Sequence, residues 1–172
     1  LILDEGLLRT LESDLEAIVS LDRQACTDVI RRSVGIKAGV VSRDEKETLG
    51  IRVLLNYGHT IGHGIEAATG YGRYLHGEAV GIGMMGAAAI GNRLGLMQDA
   101  DVERQRAVLV AYGLPVVFED IDLEAVSEAM TLDKKTSSGS IRWVLLESIG
   151  RAVTRSDVPD AVVDAALREL MR

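Results

Sequence analysis

The sequence predicts a mainly α-helical domain, a helical bundle with one small β-hairpin near its C-terminus. Three observations carry that prediction. Apolar residues recur at three- and four-residue intervals through most of the chain, the spacing that lines one face of a helix. Of 172 residues 47% are hydrophobic but only 3% aromatic, and 18 are glycine, so the core must be Leu, Ile, Val, Ala and Met with backbones close together. Stretches rich in strand-forming residues gather in one place, on either side of Ile149-Gly150. The length suits one compact domain of the usual ~100 to 200 residues.

Taken in order, Asp4 is placed to cap a first helix through Leu7, Leu8 and Leu11, with a break near Ser13 before the apolar pattern resumes over 15–21. Asp22 caps a second helix whose inner face takes Ala25, Val29, Ile36 and Val40 and which carries Lys37 near its end. A charged link over 43–47 leads to a helical pattern over 52–68, ended by Gly70-Tyr71-Gly72. A long helix follows over 77–94, and its Gly and Ala positions suit tight packing inside the bundle. Residues 102–112 form a further helix closed by Gly113 and Pro115, and Asp122 caps another reaching about Leu132. The hairpin spans 141–147 and 151–154, and Pro159 opens a last helix with Val162, Ala166, Leu167 and Leu170 on one face.

Composition excludes several function classes. The formal net charge is -7 and no basic run is present to neutralise phosphates along a nucleic acid or an anionic membrane. Cys26 is the only cysteine, so there is neither a disulfide framework nor a thiolate metal cage, which suits a reducing cytoplasm. The longest near-apolar run, 79–90, is well short of the ~20 residues needed to cross a bilayer. Leu1-Ile2-Leu3 puts apolar residues where a natural terminus is usually polar, and the expectation is a cut end.

The chemistry concentrates in one short region. All three histidines, His59, His63 and His76, fall between positions 59 and 76. On a helix running from Arg52, the steps to Asn56, His59 and His63 are four, three and four residues, which would put a cation, an amide and two imidazoles on one face amid Val53, Leu54, Leu55, Ile61 and Ile65. Unpaired buried polar groups cost about 1 to 3 kcal/mol each, so such a stripe is either paired or lines a polar cavity. Gly58 and Gly62 in the same segment imply a close neighbour. His76 opens the next helix, where the positive end of the helix dipole favours the neutral imidazole that a metal requires. Spacing alone leaves both a metal site and a set of ordinary satisfied histidines open. A zinc protease is excluded, because no Glu follows His59 in the run to His63.

The ordered set Arg52-Val53-Leu54-Leu55-Asn56-Tyr57-Gly58-His59-Thr60-Ile61-Gly62-His63-Gly64-Ile65-Glu66, then Gly70-Tyr71-Gly72, then His76-Gly77-Glu78-Ala79-Val80 with Gly83-Met84, closely resembles the 3-dehydroquinate synthase family. The resemblance extends upstream to Lys37-Ala38 and Asp44-Glu45, and downstream to Asp133-Lys134-Lys135, Gly139 and the stretch 144–150, nearly the whole chain. An extra residue between Glu47 and Arg52 departs from the family pattern, whose acidic residue there falls on Glu47.

The resemblance implies a metal held by a Glu and two His, the histidines falling on His59 and His76. The Glu has no counterpart here and is expected in an A-E-x-I-K-like motif just before Leu1. An N-terminal NAD-binding domain is expected to be absent from this chain, since no G-x-G-x-x-G loop follows a strand. The implied enzyme converts 3-deoxy-arabino-heptulosonate 7-phosphate to 3-dehydroquinate and phosphate in the shikimate pathway, with NAD and a divalent metal, zinc or cobalt, as cofactors. Arg52, Lys37, Lys134 and Lys135 would hold the anionic ends of the sugar-acid phosphate, Asn56 would position it, and His63 would transfer protons or hold phosphate. A homodimer is the family expectation. Two alternatives remain, a cyclase acting on sedoheptulose or glucose phosphates and a non-catalytic helical module.

Overall fold

In the computed structural model, residues 1–46, 48–136 and 141–172 are described, with backbone alone for 133–136. Asp4 accepts the N–H of Leu7 at 2.8 Å and starts α1, Glu5–Ser13, and Asp22 accepts the N–H of Ala25 at 2.9 Å and starts the long α3, Arg23–Arg43. Between them lies the short α2, Leu15–Val19, ended by Leu21 in the left-handed region. Each carboxylate satisfies a backbone donor that the first helical turn leaves without a partner.

The segment 52–68, expected as one helix, is two pieces. Arg52–Asn56 is a 3-10 turn, and α4 starts only at His59 and runs to Ala68. Gly58 at φ 81° makes the joint. The physical reason lies in the next helix, α5, His76–Arg93: a Cβ on Gly58 would stand 2.6 Å from Met84 Cγ and 2.8 Å from the Val80 carbonyl oxygen. The backbones meet so closely that a residue free of Cβ and free to take positive φ is required.

Helix α5 is the axis of the domain. Ala79, Ile82, Met85, Ala87, Ala88 and Ile90 are buried, and α4, α6 (Asp99–Ala111), α8 (Asp160–Glu169) and the first hairpin strand pack around it. Its small residues are what admit neighbours on so many sides. Helix α7, Leu123–Thr136, covers the other face of α4, with Val126 and Met130 against Gly64.

The hairpin is β1, Trp143–Ser148, antiparallel to β2, Arg151–Arg155, with Trp143 opposite Arg155 and an irregularity between Leu146 and Ser148. Residues 143–146 are buried without alternation because this strand lies against α5 rather than facing water. The first residues of the chain join it: Gly150 and Ala152 donate backbone N–H groups to Leu1 and Ile2. Phe118 and Met171 form an isolated parallel bridge that ties the end of the chain to the α6–α7 connection. Among the described residues, no helix is long and apolar enough to cross a membrane.

Candidate metal centre

Helix α4 carries His59 in its first turn and His63 one turn later, with Glu66 following on the same side. The chain then turns through Gly70 and Tyr71, both at positive φ, and re-enters α5 at His76. Because α4 and α5 pack in direct contact at Gly58, Gly62 and Gly83, their N-terminal residues converge. The ring centroids of His59 and His63 are 5.4 Å apart, those of His59 and His76 5.3 Å, and those of His63 and His76 5.9 Å. Ligand atoms of His63, Glu66 and His76 also lie within 4.8 Å of one another.

Two of the rings are held through Nδ1. His59 Nδ1 donates to the Tyr57 carbonyl at 3.3 Å, and His76 Nδ1 to Glu66 Oε1 at 3.1 Å, since neither oxygen can donate. With Nδ1 engaged in each, Nε2 is the nitrogen that a neutral ring has left to offer a cation. Burial holds the His59 imidazole below its ordinary range; the Tyr57 carbonyl opposes this, and the neighbouring His63 and His76 add to the lowering. A neutral ring at neutral pH is the form that binds a cation. No hydrogen bond to a described residue fixes His63, which is exposed on the wall of a cleft of about 450 Å³ with Thr60, Glu66, Tyr71, Met130 and Leu132. A set of imidazole nitrogens and one carboxylate fits zinc or cobalt.

Tyr57, which orients His59, is itself fixed. Its hydroxyl donates to Gln105 Oε1 at 2.8 Å, while Gln105 Nε2 donates to the Met84 carbonyl at 2.9 Å, so the joint before α4 is bolted to α5 and α6. Burial pushes the Tyr57 phenol up, with Gln105 opposing. It remains a neutral donor.

The remaining residues singled out from sequence are placed less centrally. Arg52 and Asn56 sit on the 3-10 turn, not on the helix of His59, so a shared helical face is not what relates them. Asp44, buried, accepts the N–H groups of Leu49, Ile51 and Arg52 at 3.0, 2.8 and 3.1 Å and so fixes the approach to that turn. Arg52 Nη1 reaches the Glu45 carbonyl at 3.5 Å, and Asn56 is exposed. Lys37 is exposed on α3, a helix that packs on α1, α2 and the 3-10 turn. The Lys134 and Lys135 side chains, and Glu47, lie outside the described residues. Sequence reading passed over Glu66; its step of three from His63 and seven from His59, the spacing of one helical face, was the available signal.

A family model described as 3-dehydroquinate synthase C-terminal matches residues 1–136. The chain belongs to the 3-dehydroquinate synthase family. Among curated members, the 3-dehydroquinate synthase of Nitrosospira multiformis is 46% identical over 98% of this chain and 46% of its own length. That of Bordetella pertussis is 44% identical over 100% of this chain and 48% of its own. The chain thus spans about half the length of these family members.

Solved structures add the fold. A 2-epi-5-epi-valiolone synthase from Streptomyces hygroscopicus with NAD+ and Zn2+ bound superposes at TM-score 0.87 and 26% identity, over 99% of this chain and 47% of that one. A 2-deoxy-scyllo-inosose synthase complexed with carbaglucose-6-phosphate, NAD+ and Co2+ gives 0.69 and 29%, over 86% and 42%.

Proposed function

We propose that this chain is the C-terminal, metal- and substrate-binding domain of a 3-dehydroquinate synthase, which turns 3-deoxy-arabino-heptulosonate 7-phosphate into 3-dehydroquinate and phosphate in the shikimate pathway. The observation that carries this reading is the meeting of His59, His63 and His76 at the N-terminal ends of two packed helices, two of them with Nδ1 already engaged. His59 and His76 would hold the divalent ion, zinc or cobalt, with a carboxylate from outside this chain as third ligand. A bound ion of that kind supplies Lewis acidity towards hydroxyl and carbonyl oxygens. NAD would be bound mainly by a nucleotide-binding domain outside the 172 residues, because this sequence has no glycine-rich loop between a strand and a helix.

The protein's own groups then divide the work. Arg52, steadied by Asp44 through its backbone N–H, presents a fork suited to carboxylate or phosphate oxygens. Lys37, Lys134 and Lys135 are further cations for the anionic ends, and Asn56 offers an amide to the substrate hydroxyls. His63, whose ring no hydrogen bond to a described residue holds, is free to rotate and carry a proton within the cleft or to pair with phosphate. A cytoplasmic homodimer is the setting this reading takes.

A second reading is a related sugar-phosphate cyclase, favoured by the names of the solved structures. Identity weighs against it, since 3-dehydroquinate synthases match at 41–46% and those cyclases at 26–31%. The test is a zinc titration followed by substrate assays of the chain joined to a family nucleotide-binding domain. His59→Ala or His76→Ala should abolish zinc binding, and product should form from the heptulosonate phosphate, not from sedoheptulose 7-phosphate or glucose 6-phosphate. Unchanged zinc affinity in both variants sinks the ligand assignment; turnover of a neutral sugar phosphate sinks the substrate.

A further inference from the structure

We propose that Glu66 is a positioning residue for His76: its carboxylate holds the ring by Nδ1–H and so turns Nε2 towards the point shared by the three histidines. The inference rests on reading that point as a metal site. Glu66 lies on the inner side of α4, its side chain 10% exposed, while the His76 side chain is 59% exposed. Packing beyond the contacts with the His59 and His63 rings therefore does little to fix the His76 ring. It sits on the first residue of α5, after a turn whose Tyr71 is exposed, and the hydrogen bond to Glu66 Oε1 at 3.1 Å is the one side-chain hydrogen bond that restrains its rotation among the described residues.

The same bond answers the question of why a carboxylate is buried there at all. A charge taken out of water needs a partner, and His76 is the one side-chain hydrogen-bond partner that Glu66 has among the described residues. His59 is treated the same way by a different group, the Tyr57 carbonyl. Two rings on two helices, each with Nδ1 on an oxygen acceptor, form a pattern that prepares Nε2 as the ligand atom. His63, from which this pattern is missing, lacks that preparation.

Glu66 is close enough to His63 and His76 to be weighed as a ligand itself. The geometry favours the positioning role. The two nitrogens of an imidazole point in divergent directions, so an oxygen bonded to Nδ1 stands outside the coordination sphere of an ion on Nε2 of that ring. Outer partners of this kind fix tautomer and ring orientation, and their loss typically lowers metal affinity about 10- to 100-fold.

The test uses nitrogen-15 NMR of the histidine side chains in the ion-free 172-residue chain, with zinc titration by calorimetry on the same samples. In the unsubstituted protein, neutral His76 should carry its proton on Nδ1. Glu66→Ala should shift His76 towards the Nε2–H form, leave the His59 tautomer unchanged, and weaken zinc about 10- to 100-fold with helix content retained. Glu66→Gln, which keeps an oxygen acceptor and nearly the same volume, should hold the Nδ1–H form and lose less than about tenfold, below the loss expected for a missing outer partner. An unchanged His76 tautomer in Glu66→Ala overturns the proposal. So does a Glu66→Gln variant that loses zinc as fully as His76→Ala, which would make Glu66 a ligand. If the unsubstituted chain takes up no zinc, the tautomers alone decide whether Glu66 orients the ring, and the metal reading is decided by the zinc titration of the chain joined to a nucleotide-binding domain.

Discussion

Asp44 touches none of the histidines, yet the start of the Arg52 turn hangs on it. Its carboxylate is held below the ordinary range chiefly by the N–H of Leu49, against the opposing effect of burial, with the N–H groups of Arg52, Ile51 and Thr48 adding to the lowering. A carboxyl whose folded pKa is depressed contributes stability in full above its unfolded value of about 3.9 and loses it as pH falls through the folded value. Asp44→Asn, uncharged and with a single acceptor oxygen, should therefore melt below the unsubstituted protein at pH 7, and the gap should narrow below pH ~4. An equal gap at pH 7 and pH 3 in thermal melts would refute that role. At this scale the histidine cluster was legible because three titratable rings in so short a stretch are improbable by composition alone. Glu66 was not, because a lone Glu on a helix reads as a solvated charge until the α4–α5 packing shows that it faces inward. The shared face of Arg52, Asn56, His59 and His63 is read from a continuous helix that the chain does not form.

The helices themselves were read well where side chains cap them. Asp4 and Asp22 announce α1 and α3, and the change from helical spacing to strand-forming residues announces the hairpin. The joint at Tyr57-Gly58 escaped because apolar spacing continues unbroken through a 3-10 turn and a glycine inside a helical pattern looks tolerable. What demands the break is tertiary: Gly58, Gly62 and Gly83 form the contact between α4 and α5, the most intimate in the domain. A Cβ on Gly83 would overlap the Gly58 carbonyl oxygen and stand 2.7 Å from the Gly62 nitrogen. Both are backbone atoms that cannot swing aside. Gly83→Ala should force the helices apart and cost at least the ~3 kcal/mol upper range of overpacking, read as a fall in the urea midpoint. Gly77→Ala, where an added Cβ meets nothing within 4 Å, should be neutral or slightly stabilising, because Ala is the better helix former. A Gly83→Ala midpoint equal to that of Gly77→Ala would mean that the contact is looser than described.

On the scale of the whole molecule, the described elements are tied to one another through one helix. Helix α5 gathers four other elements around it, and Arg104 on α6 pairs with Glu5 and Glu12 on α1, so the first helix is tied to the bundle. The opening residues pair with the hairpin, which closes the edge of β2. A domain so organised should fold from its own 172 residues, but folding and turnover have different requirements. Hydride removal and return need a dinucleotide, and the sequence offers no glycine-rich phosphate loop to bind one. Catalytic zinc normally takes three protein ligands and keeps one position open, while the proposed ligands in this chain are two, His59 and His76. The purified chain should accordingly give a cooperative melt and weak zinc binding, but no phosphate release from the heptulosonate phosphate with NAD and zinc supplied. On the proposed assignment, supplying a nucleotide-binding domain that carries a carboxylate ligand, fused or in trans, should restore phosphate release and tighten zinc together. Phosphate release by the 172 residues alone, in protein made by a host deleted for its own synthase, would show that the chemistry needs neither, and would return Glu66 to consideration as the third ligand.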